Sequence, residues 1–240
     1  MMTALDGVLL VNKPQGPTSH DIVLAARQAF GLRRIGHGGT LDPIATGVLV
    51  LLIGRATAQQ QQVHGVRKVY DAVIRFGRQT DTGDAWGAVI AETPLPDLED
   101  RARLEEALAS CRGALLQQPP AFSAVKVQGH PLYWWARRGQ PKSVPARPVT
   151  IFSLELLEVG EDRLRCRLEC SAGTYVRSLA ERIAQQLGSV GHVAELARLS
   201  VGSWRLEDAC AYDWLRRASR EELCARLRPV ELPNAVVPRV

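Results

Sequence analysis

Residues Val48 to Ile53 read VLVLLI, an unbroken apolar run in which Val48, Val50 and Ile53 are β-branched. That length and composition suit a strand covered on both faces. Such a strand needs packed layers on either side of it, so it rules out a one-sided sheet at this point. The run is also far too short to cross a membrane. Directly ahead of it lies GHGGTLDPIATG, residues 36–47. Gly36, Gly38 and Gly39 permit tight turns and the close approach of another backbone. Pro43 pushes Asp42 out of helical space into an extended conformation. A single carboxylate therefore sits on a Gly-rich turn leading into a buried strand. By itself the stretch fits a surface Asp-Pro turn, the simpler reading, or a carboxylate presented at the lip of a cleft. Phosphate-loop readings fail, because there is no GxxxxGK[ST] and no GxGxxG following a strand.

Around this stretch the periodicity predicts mixed elements. GVLLVNK (7–13) reads as a strand ending in a Lys-Pro-Gln-Gly turn, and Thr18 or Ser19 caps a helix running to about Phe30, with Gly31 as its stop. In KVYDAVIRF (68–76), Tyr70, Ala72, Ile74 and Phe76 share one face of a strand. TDTGDAWG (80–87) is a polar turn before a strand near Val89. Leu98 to Arg112 has Leu104, Leu108 and Cys111 at helical spacing, with Gly113 closing the helix. TIFSLELLEV (150–159) and RLRCRLEC (163–170) alternate around a Gly-Glu-Asp turn as a β-hairpin. TYVRSLAERIAQQL (174–187) is a helix with Leu179, Ile183 and Leu187 spaced by four. Without a regular βαβ alternation, the fold class is α+β, one domain over 1–215 on a central, mixed, largely antiparallel sheet flanked by helices. The Pro-rich, aromatic segment 117–140 interrupts it, and 216–240 is a short tail whose ELPNAVVPRV looks irregular.

Charge points to a partner class. Net charge is +5 with a pI near 9.2, and of 30 basic residues only Lys13, Lys68, Lys126 and Lys142 are Lys. The Arg excess fits a polyanionic partner, nucleic acid first, and equally the codon usage of a GC-rich genome. The five Cys are odd in number, form no CxxC and have no His at ligand spacing, so neither a zinc site nor a disulfide framework is expected. A reducing cytosol suits them, and MMTALDGVLLVNKP at the start has no signal-peptide pattern. No nucleophile elbow is present. His37 alone reads as an acid–base candidate or a hydrogen-bonding turn residue, and Tyr70 alone as core. Arg177, in the first turn of its helix, has the wrong sign for the helix dipole, which suggests an anionic neighbour. Lys126, Tyr133, Trp134, Trp135, Arg137 and Arg138 mix cations with aromatics as RNA-binding surfaces do, and as an amphipathic helix can.

Five stretches converge. GVLLVNKPQGPTSHDIV, GHGGTLDPIATGVLVLLIGRAT, KVYDAVIRFGRQTDTGDAWG, PPAFSAVKVQGHPLYWWARRG and SAGTYVRSLAERIAQQLG resemble, in order and spacing, the TruB family of tRNA pseudouridine synthases. These act on uridine 55 of the T loop, and the resemblance covers residues 7 to about 205. It implies a pseudouridine synthase fold with a catalytic cleft, and a reaction in which uracil is detached from ribose, rotated and rejoined through C5. No metal or organic cofactor is implied. Asp42 matches the catalytic carboxylate, which as a free Asp is ionised at neutral pH. Attack on ribose C1′, assistance to a glycal and addition to C6 are all open to it. The resemblance makes Arg177 its partner and Tyr70 the ring stacked on the target uracil. It implies that His37, Tyr175 and Leu196 contact the flipped nucleotide, with Lys13 and Lys126 as further substrate contacts. Segment 117–140 matches the part that closes over the T arm. Flipping the base costs a few kcal/mol.

Three positions depart from the pattern: Gly38 where Thr is frequent, Ala58 where Lys is frequent, and Phe122 where Tyr is usual. Many relatives carry a further RNA-binding domain of the PUA type, and a full one is not expected in 216–240. The expected partner is tRNA, through its T arm and T loop, met by a cytoplasmic monomer with no membrane association. Two alternatives are an RNA-guided enzyme of the dyskerin type and a tRNA-binding or folding chaperone without essential chemistry.

Overall fold

The computed structural model describes residues 5–230. In chain order the first elements are β1 (Gly7–Lys13), α1 (Ser19–Phe30), β2 (Ile35–His37), β3 (Thr46–Ile53), α2 (Gln60–Gly65) and β4 (Lys68–Phe76). Next come β5 (Arg78–Thr80), β6 (Val89–Glu92), α3 (Arg101–Ala109), β7 (Gly113–Gln117), β8 (Lys126–Val127), β9 (His130–Pro131) and α4 (Leu132–Ala136). The chain continues as β10 (Arg147–Val159), β11 (Arg163–Cys170), α5 (Val176–Gln186) and β12 (Gly191–Val201). It closes with β13 (Trp204–Arg205), β14 (Cys210–Ala211), α6 (Tyr212–Arg217) and α7 (Arg220–Ala225). The fold is α+β with a large mixed sheet, as the sequence predicts. The chain divides into two compact units, Met1–Tyr70 with Ala197–Val240, and Asp71–Leu196.

In the first unit the strand order is β14-β1-β3-β12. β3 runs antiparallel to β1, with Val11 opposite Leu49, and parallel to β12, with Gly47 opposite Arg198. Its far half also carries β2, His37 facing Leu51. The VLVLLI run serves two cores at once, because side chains alternate across a strand. Leu49, Leu51 and Ile53 pack with Ile22, Ala26 and Phe30 of α1, while Val48, Val50 and Leu52 pack with Val8, Leu10, Val63 and Trp204. Truncating a Leu on such a strand leaves a cavity, at about 2–5 kcal/mol.

Helix α1 starts and stops where its caps require. Thr18 Oγ1 accepts from the Asp21 amide while the Asp21 carboxylate accepts from the Thr18 amide, and Gly31 ends the helix in the left-handed region at φ 64°. Its buried Ile22, Val23, Ala26 and Phe30 form one stripe.

In the second unit the order is β4-β11-β10-β7, with β10 antiparallel to both neighbours. The expected 150–159/163–170 hairpin is β10 and β11. α5 buries Leu179 and Ile183 at its expected spacing, with Leu187 buried just past its end. α3 is shorter than the Leu98–Arg112 span. Asp97 accepts from the Glu99 amide in a local turn, and Asp100 is the cap that starts the helix at Arg101. Cys111 is buried beyond the helix end, and Gly113, at φ 83°, opens β7 instead of closing α3. Within 216–240, α7 is helical and places Leu223 in the core beside α1, while ELPNAVVPRV lies outside the described residues. Among the described residues no helix is long and apolar enough to cross a membrane.

Candidate active site

Asp42 is partly buried, in the turn between β2 and β3. Its carbonyl accepts from the Ala45 amide at 3.0 Å, the closing bond of a turn with Pro43 and Ile44 at its centre. Three buried polar side chains hold the backbone around it. Ser19, at the start of α1, donates to the Leu41 carbonyl at 3.0 Å and accepts from the Leu41 amide at 2.8 Å. Lys13, at the end of β1, donates from Nζ to the carbonyls of Ala45 at 2.6 Å, Pro14 at 2.8 Å and Pro43 at 3.3 Å. Arg198, on β12, donates to Val48 O at 2.8 Å, Gly39 O at 3.0 Å and Thr40 O at 3.4 Å. Lys13 is 0% and Arg198 1% exposed. Burial pushes the Lys13 ammonium down to about 8, opposed by the charge of Asp42. Lys13, expected as a substrate contact, thus has its ammonium turned into the protein and engaged with the Asp-Pro turn.

His37 lies at the end of β2. Its Nδ1 accepts from the Gly39 amide at 3.3 Å, which leaves the proton of the neutral ring on Nε2. Burial, reinforced by His64, whose ring centroid is 6.2 Å away, and by Arg198, lowers its pKa to about 4. At neutral pH His37 is therefore a neutral ring able to stack or donate to a base, not a counter-ion for phosphate. The shift has a stability consequence. The unfolded chain takes up this proton near pH 6.5 and the folded chain only near 4, so stability falls as pH drops through that window. The loss from this group is at most about 3 kcal/mol. Denaturation midpoints at pH 7 and pH 4.5 are expected to draw together in His37→Gln; an undiminished difference would assign the acid loss to other groups.

Gly38, where Thr is frequent, has a local reason. A Cβ there would stand 2.1 Å from Val63 Cγ1 on α2. Lys68 donates to the His64 and Val66 carbonyls at 2.7 and 2.8 Å, and Tyr70, two residues on, is 7% exposed.

The second unit carries the other expected residues. Arg177, 3% exposed in the first turn of α5, donates to Thr82 O at 2.6 Å and Phe122 O at 2.8 Å. The contact at Phe122 is with its backbone, so the missing Tyr hydroxyl leaves it intact. Gln117 brackets Tyr175, accepting from its amide at 2.7 Å and donating to its carbonyl at 3.0 Å, and thereby fixes the entry to α5. Leu196 is buried, and Lys126 is exposed on the β8–β9 hairpin. That hairpin and α4 form a self-stacked arm. His130 lies parallel on Trp134 at 4.0 Å, the Arg138 guanidinium sits 3.6 Å over Trp134, and Trp135 donates to Val127 O. Tyr133 remains 41% exposed.

Arg198 and Gln117 were not singled out by the sequence reading, and Ser19 only as a candidate helix cap. Arg198 carries no local signal, because only the structure shows that the phase of β12 it shares with Leu196 and Ser200 is the buried one. Among the described residues no group of three or more His, Cys, Asp or Glu is placed to hold a metal ion.

With this geometry in hand, comparison with known proteins is decisive. The model for the N-terminal domain of TruB family pseudouridylate synthases matches residues 27–176. The chain belongs to the TruB family. It is 44% identical over 236 residues to tRNA pseudouridine synthase B of Aromatoleum aromaticum, covering 98% of this chain and 76% of that relative. To tRNA pseudouridine synthase B of Opitutus terrae it is 41% identical, over 94% of this chain and 93% of the relative. The crystal structure of a Cbf5-Nop10-Gar1 complex aligns with a TM-score of 0.69 at 26% identity, covering 95% of this chain and 61% of the other. The TruB-family chain is thus an isomerase of the pseudouridine synthase kind.

Proposed function

We propose that this synthase isomerises uridine 55 in the T loop of tRNA to pseudouridine, acting as a cytoplasmic monomer. The observation that carries the reading is the likeness, over nearly the whole chain, to relatives named tRNA pseudouridine synthase B. In this reading Asp42 is the reacting carboxylate, and Arg177 is its charge partner. Tyr70 stacks on the uracil once the base is out of its loop. His37, neutral with its proton on Nε2, contacts the flipped nucleotide together with Tyr175 and Leu196. The arm of residues 117–140 offers Lys126 and the exposed face of Tyr133 to the T arm, where stacking and phosphate contacts offset the cost of flipping. Lys13 supports the Asp-Pro turn from below, a positioning role in place of direct substrate contact. The chemistry relocates one bond within the substrate, so no external electron acceptor enters the balance.

The Cbf5 likeness raises the RNA-guided reading, and a single assay separates the two. The purified chain is expected to convert a T-loop uridine in an unmodified tRNA transcript with neither guide RNA nor protein partner present. Conversion only after a guide RNA is added would establish the guided reading instead. Binding without conversion under both conditions would leave the chaperone reading standing.

A further inference from the structure

We propose that Arg198 is a positioning residue for the reaction, the side chain that fixes where the Asp42 carboxylate stands. The proposal rests on Asp42 being the reacting group.

Arg198 holds the catalytic loop at both ends. Its side chain takes the Gly39 and Thr40 carbonyls just before Asp42 and the Val48 carbonyl just after the loop has become β3. Its backbone lies opposite Gly47, and the approach is so close that a Cβ at Gly47 would stand 2.2 Å from the Arg198 carbonyl oxygen and 2.6 Å from its nitrogen. Gly47 adopts φ 106°, in the region that favours glycine, so the strand junction is built around this contact. One residue therefore sets the distance between the loop's entry and exit, with Asp42 in the span between.

The other clamps do less. Ser19 holds only Leu41, and Lys13 holds only positions on the far side of Asp42, Pro43 and Ala45, besides its neighbour Pro14. A rigid guanidinium with donors in several directions can tie three carbonyls on two segments; a single ammonium on a flexible stem holds such a geometry loosely. A full cation buried against carbonyls is an expensive way to stabilise a loop, which an enzyme retains when the loop must stand in one place. Misplacing a reacting group by an ångström costs roughly 10²-fold in rate.

The test uses the full chain as Arg198→Lys, Arg198→Met and, in parallel, Asp42→Asn. Single-turnover rates on an unmodified tRNA transcript and tRNA affinities are measured well below each variant's melting midpoint. Arg198→Met is expected to lose on the order of 10²-fold in rate with affinity changed by less than about threefold. Arg198→Lys is expected to recover part of that rate. Wild-type rates in both variants, or affinity falling in step with rate, would overturn the proposal. If Asp42→Asn retains turnover, the reading of the carboxylate fails. If Asp42→Asn is inactive while Arg198→Met is fully active, only the positioning role fails. Should neither Arg198 variant fold, proton exchange in the wild-type chain decides. The Arg198 Nε–H, which donates to Val48 O, is expected to exchange slowly, and exchange at the rate of an exposed guanidinium would overturn the proposal.

Discussion

Asp42→Asn is expected to lower turnover roughly 10⁴-fold or more while leaving tRNA affinity within about threefold. The substitution is nearly isosteric and leaves the backbone of the turn unchanged. Ser19, Lys13 and Arg198 all grip main-chain atoms of residues 39–48, none of which is lost when the carboxylate becomes an amide. The Asn variant should therefore fold and present an amide where the carboxylate stood. An amide is a poor nucleophile and carries no charge to stabilise a developing cation, so every mechanistic branch open to Asp42 is blocked. One side effect follows from the electrostatics. Asp42 supports the charged form of Lys13 against burial, so the Lys13 pKa in the variant should fall below its present value of about 8. Single-turnover kinetics, filter binding and an NMR titration of the Lys13 ammonium read these three effects separately.

Arg177→Met is expected to cost roughly 10²–10³-fold in turnover and about 2–5 kcal/mol in stability. The stability loss has a local cause. Arg177 is 3% exposed, and its two terminal nitrogens satisfy the carbonyls of Thr82 and Phe122, which Met leaves without these donors. The same two bonds tie the start of α5 to the 80–87 turn and the 117–125 segment. A cation in the first turn opposes the helix dipole, and these carbonyls, with the nearby carboxylate of Glu181 on the same helix, supply compensating negative charge. Turnover should fall much further than tRNA affinity, because the guanidinium faces carbonyls within the protein and is proposed as the charge partner of Asp42. Equal losses in rate and affinity, at matched fraction folded, would reassign Arg177 as a phosphate contact.

Much of this was legible in the residues. VLVLLI predicted a strand between two layers because an apolar run has no polar phase to turn toward water, and β3 indeed feeds one core on each side. Thr18 or Ser19 at one end and Gly31 at the other announced α1 through chemistry local to a few residues, and the structure selects Thr18 with Asp21 as its capping partner. Where the reading missed, the cause was competition between local signals or long-range contact. The Asp97 and Asp100 side chains delay α3, although its apolar spacing runs on to Cys111. Gly38 reads as a loosened motif until Val63, twenty-five residues on, is seen to fill the space a larger side chain would need. The resemblance makes Lys13 a substrate contact, and only the structure shows its ammonium bonded to carbonyls of a turn thirty residues away. Arg198 was hidden for the same reason, since nothing local says that a cation on β12 serves carbonyls between 39 and 48.

The central claim is that one carboxylate, Asp42, converts one uridine in the T loop. It is tested most directly by mapping pseudouridine along an unmodified tRNA transcript after incubation with the purified chain and with Asp42→Asn. A single new pseudouridine, at position 55, is expected with the wild-type chain and none with the variant. Modification elsewhere, no modification, or an equal yield from the Asn variant would contradict it.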